Sequence, residues 1–581
     1  MTQIKLPSQG QPQPPTKTIT VANYLLTRLR QLGIQSIFGV PGDYNLRLLD
    51  FVTPSGLHWV GTCNELNAAY AADGYARING LSALITTFGV GELSAINGIA
   101  GAYAEKAAVI HIVGTPARAL QDSRTLMHHT FADGEYRRFG KMAEHVTVAQ
   151  TNLVDERTVP EQVDWMLKQA ILHSRPVYIE VPDDMVDVLV SADMLGNELE
   201  VPEPLEVDEK EDELLKQVQE RMYQAKQPLI LVDGECRPLG ILSQVDELVK
   251  KTGWPTWTTV FGKSLVNEEL PNVYGHYSGP LASEEWKTYF ETADLIINLG
   301  PHYSDTNTQG FATIPRESVS ISFLPDRILV GKDTFRELPR SFLPRLLQSL
   351  DGSRIAGVTG PPKLSHTDLT TLNLDGSITQ KTFYDFVNPL FRPEDLILTE
   401  TGTASHGGRE FQLPRDTRLF GAVTWLSIGY MLPATLGAAI AKRELKKDDN
   451  ARAILFIGDG SLQMSVQEIS TIISEKLNVI LFIINNAGYT IERAIHGRKQ
   501  AYNDIAAWRH DHALGFFGAD KSQLGNNFSA RTYQELQTVL SDDRIQSGTG
   551  LRVIEVFMDR EDVTGLLANL INSQIVKEQK Q

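Results

Sequence analysis

Residues 453–490 decide the fold and read AILFIGDGSLQMSVQEISTIISEKLNVILFIINNAGYT. Residues 453–457 and 479–484 are continuous apolar runs, which are typical of buried parallel strands. Residues 461–476 lie between them and carry apolar side chains at helical spacing, which predicts one helix. A strand, a helix and a second strand in this order indicate an α/β sheet with parallel neighbours.

Polar side chains follow each of the two strands. Gly458, Asp459 and Gly460 follow the first, and Asn486 follows the second. Since parallel strands end at one edge of a sheet, we expect Asp459 and Asn486 to meet there. Carboxylate and amide oxygens suit Mg²⁺, which often shares its ligands with a phosphate. The residues alone leave a second interpretation open, namely a common GDG turn and an unrelated NN loop.

The rest of the chain repeats this pattern of short apolar runs and amphipathic stretches. It predicts an α/β fold of three domains, each with a mainly parallel sheet flanked by helices. Two changes in composition divide the 581 residues: an acidic stretch at 198–213 and a stretch rich in Gly, Pro, Ser and Thr at 351–377. We expect a flexible tail at 1–18, domains at 19–197, 216–350 and 381–570, linkers at 198–215 and 351–380, and a tail at 571–581.

Composition excludes several classes of function. The formal net charge of −17 argues against nucleic acid or an anionic membrane as the partner. With two cysteines, Cys63 and Cys236, a disulfide framework is not expected and a reducing compartment fits. No apolar stretch reaches the length of a membrane span, and neither end reads as a targeting signal. We therefore expect a cytoplasmic protein.

The first domain contains three candidate sites. Asp43 follows a predicted strand and a Pro-Gly turn, and Asn64 is a suitable N-cap for a helix that begins at Glu65. Small residues at 68, 69, 71 and 72 predict very close packing of that helix. His128 and His129 are adjacent, but no Cys/His cluster surrounds them, so zinc is not expected. On these residues alone, an ordinary turn aspartate, an ordinary helix-start glutamate and structural histidines remain open as interpretations.

Taken together, the motifs PGD, NELNAAYAADGYAR, HH and GDG…NN resemble those of thiamine diphosphate-dependent 2-keto acid decarboxylases, closest to the pyruvate decarboxylase group. The resemblance covers roughly residues 18–570. It implies a thiamine diphosphate-binding fold plus a central domain, with thiamine diphosphate and Mg²⁺ as cofactors. The metal ligands would be Asp459, the side chain of Asn486 and the carbonyl of Gly488.

The resemblance also implies how the cofactor is held. Glu65 would bind its pyrimidine ring and help form the internal base; a carboxyl protonated near neutral pH needs burial, so we expect Glu65 to be buried with a raised pKa. Ile428 would hold the cofactor bent. The helix at Glu65 would pack against the equivalent domain of another subunit. Further contacts are implied for Thr87, Thr401, Gly402, Thr403, Leu426, Ser427, Gly460, Ser461, Asn486, Ala487, Gly488, Tyr489, Thr490 and Ile491.

The implied reaction is non-oxidative decarboxylation of a 2-keto acid, with pyruvate giving acetaldehyde and CO₂. Catalytic roles fall to Glu65, Asp43, His128, His129 and Glu492. Of these, Asp43, His129 and Glu492 would contact substrate and move protons. A homodimer would be the smallest active unit and a homotetramer the expected assembly.

Three alternatives remain open at this stage. Small Thr306 and polar His406 suggest a wider pocket, which favours indolepyruvate, phenylpyruvate or branched-chain 2-keto acids. A carboligase of the same architecture is the second alternative. A non-catalytic, filament-forming protein that retains the fold is the third.

Overall fold

Three sheets follow one another along the chain in the computed structural model, which describes residues 17–199, 211–364 and 367–579. The first sheet has six parallel strands in the order β3-β2-β4-β5-β7-β6, and β1 pairs separately with β8. Its elements are β1 Thr18–Thr20, α1 Val21–Gln31, β2 Ser36–Gly39, α2 Leu46–Leu49, β3 His58–Gly61, α3 Glu65–Asn79, β4 Ser82–Thr87, α4 Val90–Ala104, β5 Val109–Thr115, α5 Arg118–Asp122, α6 Arg138–Ala143, β6 Gln150–Asn152, α7 Val159–His173, β7 Val177–Pro182 and β8 Leu189–Ser191.

The central sheet has seven strands in the order β11-β10-β9-β12-β13-β14-β15. Its first five strands are parallel, and β14 and β15 add an antiparallel edge. Its elements are α8 Glu211–Gln224, β9 Pro228–Val232, α9 Leu242–Thr252, β10 Thr256–Thr258, β11 Val273–His276, α10 Glu284–Thr292, β12 Leu295–Leu299, β13 Ser320–Leu324, β14 Arg327–Val330, β15 Asp333–Phe335 and α11 Pro339–Ser349.

The third sheet is again parallel, in the order β17-β16-β18-β19-β21-β20. It therefore repeats the strand order of the first sheet. Its elements are α12 Gln380–Val387, β16 Leu396–Thr399, α13 Thr403–Gly408, β17 Arg418–Phe420, α14 Met431–Lys446, β18 Ala453–Gly458, α15 Asp459–Leu462, α16 Ile469–Ser474, β19 Val479–Asn485, α17 Thr490–Ile495, α18 Ala513–Phe516, β20 Asn527–Ala530, α19 Tyr533–Leu540, α20 Asp543–Gln546, β21 Leu551–Phe557 and α21 Gly565–Gln579. The predicted α/β class with mainly parallel sheets is confirmed.

Helices α3 and α14 join the first and third domains. A Cβ atom on Gly74 would lie 2.2 Å from the Ala434 carbonyl oxygen, and one on Gly437 would lie 1.8 Å from that of Ala71. Only glycine permits so close a crossing. We expected a domain of another subunit to supply this surface. Within the chain, α14 supplies it, and one continuous apolar core contains residues of both helices.

Several boundaries differ from those expected. Thr18, placed in the tail at 1–18, already belongs to β1, while residues 1–16 lie outside the described part of the chain. Residues 200–210 of the acidic linker at 198–215 also lie outside it. The tail at 571–581 is wrong as far as residue 579, because α21 extends to Gln579 and Ile571 is buried.

The predicted linker at 351–380 is held against the central domain. The indole Nε1 of Trp254 donates to the Ala356 carbonyl at 3.2 Å, and that of Trp286 donates to the Pro362 carbonyl at 2.8 Å.

Among the described residues, no helix combines the length and the apolar character that crossing a membrane requires.

The single helix predicted over residues 461–476 is wrong. The chain forms α15, a 3-10 turn at Val466–Glu468 and then α16. Ser465 leaves the helical path with φ −143°, and its hydroxyl donates to the Gly429 carbonyl at 2.6 Å. A bond to a distant segment therefore interrupts a helix that periodicity alone would continue.

Candidate active site

The loops that follow β18 and β19 bring together three oxygen ligands. Asp459 and Asn486 are buried at 3% and 4% exposure. One terminal atom of the Asn486 amide lies 3.1 Å from Asp459 Oδ1 and 3.0 Å from the Gly488 carbonyl oxygen, and the other lies 3.1 Å from Thr490 Oγ1. The prediction that Asp459 and Asn486 lie close together, made from their positions after neighbouring strands, is confirmed.

The hydroxyl of Thr490 decides which way the Asn486 amide points. Thr490 Oγ1 donates its one proton to the Arg560 carbonyl at 3.1 Å, so toward Asn486 it offers a lone pair. The amide nitrogen therefore faces Thr490, and the amide oxygen faces Asp459 and Gly488. Three oxygens this close together, with no proton between them, form a site for a cation.

The backbone of this loop can adopt its shape only with glycine at 488. Gly488 has φ +129°, and a Cβ atom there would lie 2.2 Å from the Asn503 carbonyl oxygen.

Burial raises the pKa of Asp459 to about 6, although the Gly460 N–H donates to its carboxylate at 2.8 Å. Gly460 and Ser461 open α15, and Tyr489 packs over Gly460. Ala487 also has a positive φ, of +55°, and Ile491 is half-buried in α17.

The turn after β16 carries Thr401, Gly402 and Thr403. Thr401 Oγ1 is buried and has no hydrogen-bond partner among the described residues. Behind the turn, Glu400 is fully buried and accepts backbone N–H bonds from Thr401 and Met431, both at 2.9 Å. Burial raises the pKa of Glu400 to about 7. This carboxylate ties the turn to the start of α14.

The segment before α14 carries Leu426, Ser427 and Ile428. Leu426 has φ +54°, a left-handed conformation that is uncommon for a residue with a side chain. Ser427 Oγ lies 2.7 Å from the hydroxyl of Tyr70, and Ile428 is half-buried. The three residues just before Leu426 are held by Glu105 from the first domain. Its carboxylate accepts from the backbone N–H groups of Val423, Thr424 and Trp425, at 2.9, 2.9 and 3.1 Å.

Asp43, His128 and His129 form a cluster at the edge of the first sheet. His128 Nε2 is paired with Asp43 Oδ2, and His129 Nε2 lies 3.6 Å from Asp43 Oδ1. The ring of Tyr44 stacks on that of His128 with centroids 4.9 Å apart. His129 has φ +63°, so a turn, rather than a strand, lets both histidines face one carboxylate.

Glu65 and Thr87 lie beside this cluster. A Cβ atom on Gly91 would lie 3.0 Å from Glu65 Oε1 and 3.1 Å from Thr87 Cγ2, and one on Gly42 would lie 2.5 Å from Thr87 Cβ. The PGD turn, β4 and the start of α3 therefore converge. Thr87 Oγ1 is buried without a hydrogen-bond partner in the described chain. Glu65 is half-buried, so the burial that we expected for it is wrong for the single chain.

Two groups of predicted residues thus form two separate clusters. One holds Asp43, Glu65, Thr87 and the histidine pair, and the other holds the residues after β16, β18 and β19. Glu492 lies in α17 beside the second cluster, with its side chain exposed. No hydrogen bond or ion pair joins the two clusters within residues 17–199, 211–364 and 367–579.

The two residues expected to widen the pocket are both placed near the third domain's turns. Thr306 Oγ1 donates to the Val423 carbonyl, so it faces the segment that leads to Leu426. His406 Nδ1 lies 3.0 Å from the Gly402 carbonyl oxygen. Both side chains are therefore engaged by backbone groups next to predicted cofactor residues.

Three buried glutamates were missed by sequence reasoning: Glu92, Glu105 and Glu400. Glu92 accepts from the Gly89 N–H at 2.7 Å. A Cβ atom on Gly89 would lie 2.2 Å from the His129 carbonyl oxygen, so Glu92 holds the turn on which the histidine pair rests. Because a glutamate in a helix or loop is usually solvated, no local pattern distinguishes these three.

Family models and similar proteins all point to the same family of enzymes. Residues 19–136 match the description "Thiamine pyrophosphate enzyme, N-terminal TPP binding domain", residues 215–339 match the central domain and residues 400–542 the C-terminal TPP binding domain of the same enzymes. A pyruvate decarboxylase of Aspergillus parasiticus is 52% identical over 578 residues, which covers 97% of this chain and 99% of the relative. A pyruvate decarboxylase of Aspergillus fumigatus is 40% identical, covering 95% and 96%.

Solved structures agree on the fold. The thiamine diphosphate-dependent 4-hydroxybenzoylformate decarboxylase of Rhodococcus jostii RHA1 superposes with a TM-score of 0.74, covering 94% of this chain and 100% of that one. The benzoylformate decarboxylase of Polynucleobacter necessarius gives 0.73 with the same coverage. At 17% and 20% identity, these likenesses concern the fold alone.

Proposed function

The chain belongs to the thiamine pyrophosphate enzymes, within their pyruvate decarboxylase group, and we propose that it converts pyruvate to acetaldehyde and CO₂. The observation that carries the proposal is the Asp43–His128–His129 cluster, which lies beside Glu65 and Thr87 at one sheet edge. A carboxylate with two imidazoles supplies groups that move protons near neutral pH, as release of an aldehyde requires.

The residues fit thiamine diphosphate and Mg²⁺. The hydroxyls of Thr87 and Thr401 are buried and have no hydrogen-bond partner among the residues that the structure describes, which suits contacts to a ligand. The oxygens of Asp459, Asn486 and Gly488 suit Mg²⁺, and α15 offers backbone N–H groups near a diphosphate. When bound, the cofactor supplies the electron sink for loss of CO₂.

The protein side chains then have distinct tasks. Glu65 would hydrogen-bond the pyrimidine ring, the Leu426 carbonyl would accept from its amino group, and Ile428 would pack against the bound cofactor. Asp43, His129 and Glu492 would bind the keto acid and supply the proton that the aldehyde product needs after CO₂ leaves. His128, paired to Asp43, holds that carboxylate in place.

We propose a homodimer as the smallest active unit and a homotetramer as the assembled form. The exposure of Asp43 and Glu492 in the single chain supports this, since each belongs to a cluster that lacks the other. A second copy can bring the Asp43 cluster of one chain to the Asp459 cluster of the other. We also propose three domains at 18–197, 211–350 and 380–579, since each range encloses one of the three large sheets and cuts no helix or strand. A cytoplasmic location is proposed from the two free cysteines.

A panel of keto acids tests the function. The purified chain, saturated with thiamine diphosphate and Mg²⁺, is assayed for CO₂ and aldehyde from pyruvate, phenylpyruvate, indolepyruvate and a branched-chain 2-keto acid. We expect the largest kcat/KM for pyruvate, and a larger value for any other member would overturn the substrate. Glu65→Gln should lower kcat at least 100-fold with an unchanged circular dichroism spectrum; near-normal turnover would refute its role.

A further inference from the structure

Residues 463–468, the linking turn, join α15 to α16 where a continuous helix was expected. One side of this turn packs on the segment that carries Ile428. Ser465 Oγ donates to the Gly429 carbonyl at 2.6 Å, and a Cβ atom on Gly429 would lie 2.6 Å from Met464 Cβ. The linking turn therefore holds the end of a segment that is expected to contact the cofactor.

The other side of the linking turn reaches the first domain through Glu468. This side chain is fully buried, at 0% exposure. Its Oε2 accepts from the side-chain amide of Asn67 at 2.7 Å and from the backbone N–H of Cys63 at 3.4 Å. Because Glu65 is the first residue of α3, these two donors lie on either side of it in the chain. One carboxylate of the third domain thus holds both flanks of Glu65.

The start of α3 has only this carboxylate and its neighbours as an anchor to the third domain. The N-cap Asn64 accepts from the Asn67 backbone N–H at 2.8 Å, which shapes the first turn of the helix but ties it to nothing outside. Cys63 Sγ donates to the Gln467 carbonyl at 3.3 Å, and Gln467 also belongs to the linking turn. The anchor of this helix start is therefore the linking turn.

Asn67 depends on Glu468 for an acceptor. Asn67 is 1% exposed, and a buried amide N–H is stable only with a hydrogen-bond partner. Glu468 Oε1 is buried and has no partner in the described chain, so a single oxygen of this side chain forms the contact. Burial raises the pKa of Glu468, which favours the protonated acid. Glutamine has the shape of that acid and is the conservative replacement.

Glu65 needs an exact position for its proposed task. Its side chain is half-buried, and no hydrogen bond or ion pair within residues 17–199, 211–364 and 367–579 holds its carboxylate. Its place is therefore set by the backbone at the start of α3. Misplacing a group at a reaction centre by about 1 Å can cost roughly 100-fold in rate.

We propose that Glu468 is a positioning residue for the reaction. Through Asn67 and Cys63 it fixes the start of α3, so that Glu65 meets the pyrimidine ring of the cofactor. The inference rests on the proposed function and deepens it. Since the metal and diphosphate contacts hold the cofactor, loss of Glu468 should slow removal of the thiazolium C2 proton, which the Glu65 contact promotes, and leave the cofactor bound.

Glu468→Ala tests the proposal in the holoenzyme, with thiamine diphosphate and Mg²⁺ at saturation. Exchange of the C2 hydrogen of the bound cofactor in D₂O, read by NMR after an acid quench, should slow about tenfold or more. The kcat for pyruvate should fall with it, while KM changes less than about twofold. Glu468→Gln keeps one acceptor oxygen, so both rates should stay within about threefold of wild type.

A second measurement needs no cofactor. In the cofactor-free full chain, backbone amide hydrogen exchange is followed by mass spectrometry in a peptide that spans residues 63–67. Exchange there should quicken in Glu468→Ala and not in Glu468→Gln, because only the first variant releases the helix start.

Glu444→Ala is the matched control. Glu444 lies in α14 and accepts from the hydroxyls of Ser36 and Tyr75. It therefore also ties α3 to the third domain, but at the second half of the helix, away from Glu65. This variant should lower the melting temperature and leave C2 exchange within about twofold of wild type.

Asn67→Ala tests the same contact from its other side and replaces Glu468→Ala if that variant does not fold. It should slow C2 exchange to a similar degree. The double variant should be no slower than the slower single variant, because both remove one interaction.

The outcomes separate this role from others. The proposal fails if Glu468→Ala exchanges C2 at the wild-type rate, or if Glu444→Ala slows the exchange as much. It also fails if cofactor affinity of Glu468→Ala falls in proportion to kcat, which would assign Glu468 to the diphosphate site of its own chain. Wild-type protein that exchanges C2 but releases no CO₂ from any keto acid would overturn the proposed function alone.

Discussion

Replacing Glu92 by Gln should stabilise the protein at neutral pH and hardly change it in acid. Glu92 is 3% exposed, and one carboxylate oxygen accepts from the Gly89 N–H at 2.7 Å while the other accepts from the Tyr178 hydroxyl at 2.6 Å. Burial raises the pKa of Glu92 from 4.5 to about 7. A Gln side chain can still accept from Gly89, and its amide can donate to the Tyr178 oxygen. The Tyr178 hydroxyl then donates to Glu180, which lies 3.1 Å away.

The magnitude follows from proton linkage. Below pH 4.5 the carboxyl is protonated in both the folded and the unfolded chain, so it adds no pH dependence. Between pH 4.5 and 7 the unfolded chain loses the proton first, and the free energy of unfolding falls as pH rises. A shift of roughly 2.5 units corresponds to about 3.4 kcal/mol, fully lost above pH 7. Glu92→Gln removes this loss, so its advantage should grow from near zero at pH 4.5 to about 3 kcal/mol at pH 7.

Urea unfolding of wild type and variant at pH 5, 6, 7 and 8, followed by circular dichroism, measures the effect. Since a three-domain chain need not unfold in one step, the difference in midpoint between the two proteins at each pH is the quantity compared. Glu161→Gln, an exposed carboxylate in the first turn of α7, is the control and should shift stability by less than about 0.5 kcal/mol. A difference that is equal at pH 5 and pH 8, or that favours wild type at pH 8, would refute the reasoning.

Three further substitutions test the cofactor site and the domain contact. Asp459→Ala should release metal and thiamine diphosphate together on gel filtration; retention of both would contradict the ligand assignment. Gly488→Ala places a Cβ atom 2.2 Å from a carbonyl oxygen at φ +129°, so cofactor affinity should fall at least tenfold, whereas Gly357→Ala, with open space around it, should leave affinity unchanged. Gly437→Ala places a Cβ atom 1.8 Å from the Ala71 oxygen and should destabilise by about 3 kcal/mol or more; an unchanged melting temperature would count against the close crossing of α3 and α14.

Local sequence was enough to predict the strands around the metal site. The runs at 453–457 and 479–484 end within one residue of β18 and β19, because continuous apolar side chains stop where the loop residues begin. The prediction of a single helix between them was wrong because a contact with a distant segment interrupts it. Its periodicity continues through residue 476, but Ser465 bonds to Gly429, which lies in a segment that no local pattern connects to it.

Some residues of the candidate site could likewise be predicted from local sequence, and others could not. Asp459 and Asn486 each follow a strand of one βαβ unit, so their meeting could be derived from the residues. Asp43 and the histidine pair come from turns far apart in the chain, and only the resemblance to a family predicted that they act together. Glu65 is a third case, because we expected it to be buried and the single chain leaves it half-buried.

The three buried glutamates that the sequence did not predict fix the backbone of the site's turns before any ligand is bound. Glu92, Glu105 and Glu400 each accept backbone N–H bonds from a turn that carries predicted site residues. Buried N–H groups need such acceptors. The hydroxyls of Thr87 and Thr401, in contrast, are buried and left without a partner in the described chain. Backbone N–H groups that are bonded to buried carboxylates behind the site, with two unbonded hydroxyls in front of it, are the arrangement that lets ligand contacts form without reorganising the protein.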